Sequence, residues 1–278
     1  MIPNYTYGLN GESIKKIIEI ISNFTDSDER LPKWKLSYQY VYNIKKAEDM
    51  IFIINVSGLY YYMNQTGYRI DRVSGNNILS AVCVSQDFKY IKIYTSPIEE
   101  KYDFNNITYP LNQAFRYRAI WCNCFMMHAS SVIFRNEGIL FCGVSGAGKS
   151  TQAGLWEKYK YAKVMNYDQN CIIIQRDEIS IHGSPWAGKE NIFLNCSVPL
   201  KAILFIKKSS QNLVTRVSFG EAFSLIYLYN YLYPINELIE SKYQQLIIDL
   251  VSRIPVYRLE CDTSAGAVAE VIKRLWNT

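Results

Sequence analysis

Apolar residues recur at helical spacing in NGESIKKIIEIISNF, residues 10–24, with Lys and Glu between them, and this predicts an amphipathic helix. From about residue 36 to 96 the period shortens. The runs KLSYQYVYNI, MIFIINVSGLYYYM, TGYRIDRVS, NILSAVCVS and KYIKIYTS are rich in Tyr, Ile and Val and are bounded by Asn, Gly, Ser or Asp, as expected of a meander-like sheet. Residues 97–111 are polar and contain Pro97 and Pro110, which makes them the expected boundary between a β-rich N-terminal domain, 1–111, and a second domain, 112–278. LNQAFRYRAIWCNCFMM then reads as a helix that leads into the second half.

Beyond it the two periods alternate. Strand-like runs (SSVIF, GILFCG, AKVMNYD, CIIIQ, AILFIKK) are interleaved with helical ones (STQAGLWEKY, FGEAFSLIYLYNYLY, ELIESKYQQLIIDLVSRI, AGAVAEVIKRLW). Such alternation predicts an α/β core, a mixed sheet flanked by helices, and with the N-terminal sheet an α+β chain overall. No apolar stretch reaches membrane-spanning length, so no membrane partner is expected.

Composition narrows the function classes. The net charge of +5 comes from 30 basic against 25 acidic residues, with no basic run longer than the Lys pairs at 15–16, 45–46 and 207–208, a distribution that gives no footprint for nucleic acid. Seven cysteines form no CxxC pair, so neither a disulfide framework nor a zinc site is expected, and a reducing cytoplasm is the expected home. Cys122 and Cys124, one residue apart, share a face if they lie in a strand.

Candidate chemistry concentrates at residues 143–150. GVSGAGKS matches G-x-x-x-x-G-K-[ST], the P-loop or Walker A pattern, without a mismatch. Gly143, Gly146 and Gly148 let the backbone turn its N–H groups toward phosphate oxygens, with Val144, Ser145 and Ala147 completing the cradle. Lys149 supplies a point charge for the β and γ phosphates, the Ser150 hydroxyl is a Mg²⁺ ligand, and Thr151 continues into a helix whose positive end adds to the anion site. The apolar run GILFC before the loop supplies the strand that the motif requires. ATP and Mg²⁺ are therefore the expected cofactors.

The usual downstream marks of a P-loop ATPase or GTPase are missing. No Asn-Lys-x-Asp tetrad and no ABC-type signature occur, and the first strand-ending acid is Asp168 in AKVMNYD, nineteen residues beyond Lys149. A carboxylate there can hold Mg²⁺ or accept a proton from an attacking hydroxyl. Asp249, in an amphipathic helical run, is set aside. Of the two histidines, His128 opens MMHASSVIF; a hairpin joining 128–134 to 138–143 through residues 135–137 brings it alongside the loop, whereas His182 reads as structural. GSPWAG, 183–188, has turn chemistry around an exposed-looking Trp186 and can shape an acceptor pocket.

From HASSVIFRNEGILFCGVSGAGKST through VMNYD to GSPWAG and VPLKAILFIKK, the chain resembles the HPr kinase/phosphorylase-like proteins, whose core is similar to that of phosphoenolpyruvate carboxykinase. The likeness covers about residues 115–275, with a His fifteen residues ahead of the first loop glycine. The resemblance implies that His128 lies by the phosphates and that Asp168 is the base toward a serine hydroxyl, with Lys149 also catalytic. The family usually has two adjacent acids where this chain has Tyr167 and Asp168, and GSPWAG does not reproduce its later signature. The better resemblance is to a divergent branch, which includes kinases found with ribosomally made peptide pathways and whose GxPWxG stretch is similar to residues 183–188. The expected activity is phosphoryl transfer from ATP to a hydroxyl, a Ser of a peptide or small protein; a non-catalytic nucleotide sensor and a kinase of a small-molecule alcohol are the alternatives. A homo-oligomer is an analogy with the family alone.

Overall fold

A computed structural model describes residues 11–41, 44–95, 105–188, 192–230 and 232–277. In chain order the elements are α1 (Gly11–Asp26), β1 (Lys35–Tyr40), β2 (Ile51–Val56), β3 (Leu59–Met63), β4 (Gly67–Ser74), β5 (Asn77–Ser85), β6 (Tyr90–Thr95) and α2 (Asn105–Trp121). They continue with β7 (Cys124–His128), β8 (Ser130–Phe134), β9 (Glu137–Cys142), α3 (Lys149–Lys160), β10 (Lys163–Asn166), β11 (Gln169–Ile174), β12 (Ile179–Gly183) and β13 (Ser197–Lys208). Last come β14 (Leu213–Arg216), α4 (Phe219–Tyr229), α5 (Glu237–Arg253), β15 (Val256–Cys261) and α6 (Ala265–Trp276). The chain is α+β, with two mixed sheets and no closed barrel. Its contacts divide it into two compact units, one of Asn123–Tyr233 with Ser241–Thr278, the other of Ile2–Cys122 with Pro234–Glu240.

The N-terminal unit holds a six-stranded sheet in the order β1-β6-β5-β4-β3-β2. Strands β2 to β6 form the expected antiparallel meander, and β1 adds to it in parallel beside β6. The run MIFIINVSGLYYYM is two strands rather than one. Ser57 and Gly58, with φ of 51° and 76°, make the two-residue left-handed turn that suits the twist of a hairpin.

Residues 97–104 of the expected boundary lie outside the described residues, and the rest of it is helical. Pro110 sits inside α2, where it removes the N–H that would have bonded the Asn106 carbonyl. The buried Ser80 hydroxyl donates to that carbonyl instead, so the helix tolerates its proline. α2 ends at Trp121, short of the expected 127, because Asn123 turns left-handed at φ 54° and the chain enters β7. Cys122 therefore lies in the turn and only Cys124 in the strand, so the two do not share a strand face.

The second unit is built on a nine-stranded sheet in the order β10-β8-β9-β13-β12-β11-β7, with β15 beside β13 and β14 beside β15. The long β13 serves two neighbourhoods: Ser197–Pro199 pair with β12, and Leu200 onward pairs in parallel with β9. β12, β14 and β15 were not anticipated from the sequence. The continuous apolar run of β9 is explained by burial on both faces: Ile139, Leu140 and Phe141 are all buried. On one face the core gathers Phe141, Trp156 of α3 and Leu259, closed by Ala267, Val268, Val271 and Leu275 along one stripe of α6. Burying each large aliphatic of such a stripe contributes about 1.5–3 kcal/mol.

Among the described residues no helix is long and apolar enough to cross a membrane, and all seven cysteines are free thiols.

Candidate functional site

β9 delivers the chain into the Gly-rich loop and α3 carries it away. Gly143, Gly146 and Gly148 have φ of 145°, 77° and 108°, in or beside the left-handed region that only glycine visits without strain. A Cβ on Gly143 would also sit 3.0 Å from the Ala147 Cβ, so the loop cannot close around a larger residue there. Ala147 N–H donates to the Val144 carbonyl, and Gly148 caps α3 without any side-chain acceptor. The first turn of α3 therefore carries N–H groups free of side-chain capping, as an anion site needs. Val144, Ser145, Ser150 and Thr151 are exposed around it.

Lys149 is buried, its ammonium donating to the carbonyls of Gly143 at 3.0 Å and Val144 at 3.3 Å. Burial holds that ammonium below its ordinary range; the nearby Cys142 and Asp168 act in the opposite direction. Burial in turn pushes the Cys142 thiol up, so it remains neutral beneath the loop.

His128 and Asp168 reach the same place by different routes. β8 and β9 form the expected hairpin through Arg135 and Asn136, both left-handed, and the pairing of Ser130 with Phe141 brings the start of β8 level with the beginning of the loop. His128 itself ends β7, with Ala129 between it and β8, rather than opening β8. Asp168 occupies the turn between β10 and β11, and its Oδ1 lies 2.7 Å from His128 Nδ1, with the two side chains 29% and 46% exposed.

Both residues are held by their backbones. Asn166 Oδ1 accepts from the N–H of Asp168 at 2.7 Å and of Gln169 at 3.1 Å, an Asx turn, and the Asp168 carbonyl accepts from Ala129 N–H at 2.8 Å. The Asn166 amide donates to the Ser184 carbonyl and the Trp186 carbonyl accepts from Gln169 N–H, tying 183–188 against this turn. Trp186 is only 8% exposed, so the sequence expectation of an exposed ring is corrected: the loop folds its indole inward and presents backbone. Gly188 then passes so close that a Cβ on it would meet the Asp168 side chain. On the edge strand β7, the Asn230 side chain accepts from His128 N–H and donates to the Met126 carbonyl, occupying backbone groups that no neighbouring strand pairs.

The remaining candidates lie away from this pair. His182 is buried in β12 with Nδ1 on the Gly183 carbonyl, a structural place, and Asp249 lies on α5, where Gln245 donates to it. Among the described residues no group of three or more His, Cys, Asp or Glu is arranged to hold a metal ion. Ser150 and Asp168 are hard oxygen donors, the kind that fits Mg²⁺ when phosphate oxygens supply further ligands.

Two clefts adjoin the Gly-rich loop. One of 410 Å³ runs from Gly143 and Val144 to Phe205, Lys208, Tyr229 and Arg258. The other, of 370 Å³, lies along Gly148, Thr151 and Gln152 toward Asp262 and Thr263. Sequence reasoning missed Gln152, Asp262 and Asn230, each of which has a partner 50 or more residues distant. Asn166 did carry a signal, the Asn-x-Asp spacing of an Asx turn within VMNYD.

A family model described as SynChlorMet cassette protein ScmC matches residues 99–277, more than half of the chain. No curated protein matches. A solved structure described as the Hpr(Ser) kinase/phosphatase from Coxiella burnetii is similar to this chain at 10% identity and a TM-score of 0.31, over 54% of this chain and 93% of that one.

Proposed function

The chain belongs to the ScmC family, and we propose that it is an ATP- and Mg²⁺-dependent kinase that transfers the γ-phosphoryl group to a hydroxyl, a Ser of a peptide or small protein. The observation that carries the proposal is the His128–Asp168 pair, 2.7 Å apart, on a turn near enough for the Asp168 charge to act on Lys149. Phosphoryl transfer asks for positioning and charge stabilisation more than covalent chemistry, and these groups supply both. The loop N–H groups and Lys149 take the phosphate oxygens, the ammonium exchanging the Gly143 and Val144 carbonyls for them. Ser150 and Asp168 would hold Mg²⁺, which when bound would supply neutralisation of the charge on the transferred group. His128 Nδ1–H donates to Asp168 Oδ1, which fixes the carboxylate and leaves Oδ2 to accept the proton of the attacking hydroxyl.

A general base is worth about 10² to 10⁴ in rate. Asp168→Asn is therefore expected to lower turnover by that factor while sparing most ATP binding, and Lys149→Ala to weaken both. The test is transfer of label from γ-labelled ATP with Mg²⁺ into a host lysate resolved by size. Label in a peptide or protein band that needs both residues supports the kinase; label confined to the low-mass fraction means a small-molecule acceptor. One feature favours a nucleotide sensor instead: Tyr167 packs against the apolar core, so the turn offers a single carboxylate. Intact ATP binding with no residue-dependent label in any fraction would decide for that reading.

A further inference from the structure

A buried hydrogen-bond acceptor lacks a partner beside the Gly-rich loop. Gln152, in the first turn of α3, is 2% exposed. Its Nε2 donates to Cys261 Sγ at 3.1 Å and to the Asp262 carbonyl at 3.4 Å, while its Oε1 has no partner. The pairing fixes the orientation of the amide, since turning it over would set Oε1 against the Asp262 carbonyl, acceptor to acceptor. Burial pushes the Cys261 thiol up to about 11, so it stays neutral and keeps the Nε2 contact. Folded proteins rarely leave such an oxygen unanswered, and Gln152 is one of the residues that line the 370 Å³ cleft.

The same wall contains a second acceptor. Asp262 receives hydrogen bonds from Asn212 Nδ2, Ser264 N–H and Ser264 Oγ, all on Oδ1, which leaves Oδ2 without one. Those bonds, the Ser264 hydroxyl first, hold its carboxyl below the ordinary range. A cleft with two fixed acceptors and no side-chain ammonium but Lys208 suits a neutral ligand rich in N–H and O–H donors. Its volume falls within the range of about 300–1,000 Å³ usual for small-molecule sites. Its mouth runs along Gly148 and Thr151, where the proposed phosphate cradle ends.

We infer that this cleft takes the nucleoside half of the phosphoryl donor, with Gln152 Oε1 and Asp262 Oδ2 accepting hydrogen bonds from it. The inference rests on the kinase reading only in requiring that the Gly-rich loop hold the phosphates. A base amino group and a ribose hydroxyl present the same donor chemistry to Gln152, and two analogues tell them apart. Inosine triphosphate replaces the 6-amino group by an oxygen, and 2′-deoxy-ATP lacks one ribose hydroxyl.

The experiment is calorimetric titration of the full chain, wild type and Gln152→Met, with ATP, inorganic tripolyphosphate and the two analogues. Wild type should bind ATP at least tenfold more tightly than tripolyphosphate. Loss of one hydrogen bond predicts that Gln152→Met weakens ATP about three- to tenfold and leaves tripolyphosphate unchanged. The analogue that lacks the donor Gln152 uses should bind wild type as weakly as ATP binds the variant. Equal affinity of wild type for ATP and tripolyphosphate overturns the inference, as does a Gln152→Met variant that weakens both or neither, since a structural water would then account for the oxygen. If both analogues bind as ATP does, Gln152 is not a contact. If tripolyphosphate itself fails to bind, the phosphate cradle is wrong and the inference falls with it. Should Gln152→Met not fold, Asp262→Asn supplies the same comparison, with selective loss of ATP affinity as the supporting result.

Discussion

Gly188→Ala is a small change expected to report on both backbone strain and catalytic geometry. Gly188 sits at φ +70°, and a Cβ there would lie 3.0 Å from Asp168 Cβ and 3.4 Å from Asp168 Cγ and Oδ2. The left-handed conformation costs an L-residue about 1–2 kcal/mol. In a unit of this size each kcal/mol lowers Tm by about 2–4 °C, so the expected drop is about 2–8 °C. The contact forces the Asp168 side chain to give by a few tenths of an ångström. Misplacement by 1 Å can cost about 100-fold, so a smaller shift predicts a loss in kcat of up to about tenfold, with ATP affinity unchanged. Gly75→Ala is the control: Gly75 has φ +56°, but a Cβ added to it would meet nothing within 4 Å, so it should lower Tm without touching kcat. Calorimetry and label transfer measure the two effects. A Gly188→Ala protein with reduced Tm and wild-type kcat would refute the claim that this loop seats Asp168.

Three further outcomes follow from buried partners. Asn230→Ala removes the side chain that holds the His128 and Met126 backbone on edge strand β7; thermal melting should show a loss of about 1–3 kcal/mol and turnover should fall with it. Ser80→Ala strands the Asn106 carbonyl at a similar cost, and adding Pro110→Ala should recover much of it, because the restored N–H can answer that carbonyl; denaturant melts of the double-mutant cycle check this. Lys149 is held below its ordinary 10.5, so the unfolded chain binds the extra proton, and stability should rise with pH through the window between the depressed value and 10.5. Lys149→Met should abolish that rise in urea melts taken across the alkaline window, while losing ATP affinity.

Most elements were legible in the sequence because they bury one periodic face. The stripe of α6 is of that kind, whereas the six-residue apolar run of β9 reads as a strand because both of its faces are buried. Sequence reading failed where a distant partner overrides local chemistry. Pro110 reads as a breaker until Ser80, thirty residues earlier, satisfies the carbonyl it frees. Trp186 reads as exposed because Gly, Ser and Pro surround it, yet Asn166 and Gln169 draw its loop inward. At the site, Gly143, Gly146, Gly148 and Lys149 announce themselves through a motif whose spacing is itself the geometry. His128 and Asp168 needed the hairpin argument, and Gln152 carried no local signal, because its partners lie at the end of β15.

Topology explains why the acid arrives only nineteen residues after the loop lysine. Ligand sites in parallel sheets form at the carboxyl ends of neighbouring strands, so the strand beside β9 is the natural source of an acid. Here the parallel neighbour of β9 is β13, and it ends in Lys207 and Lys208. The other neighbour, β8, runs antiparallel to β9, so its beginning, not its end, lies level with the loop. β10 also runs antiparallel to β8, so its carboxyl end returns to that same level and delivers Asp168 in the turn that follows. β11 leads away from that turn and pairs with β7 so that Gln169 faces His128. Two antiparallel reversals thus place one carboxylate and one imidazole where a parallel sheet would have placed a strand-ending acid. Lengthening the turn by a glycine after Asp168 should therefore separate the acid from His128 without altering the loop, and selective loss of turnover with retained ATP binding is the expected result.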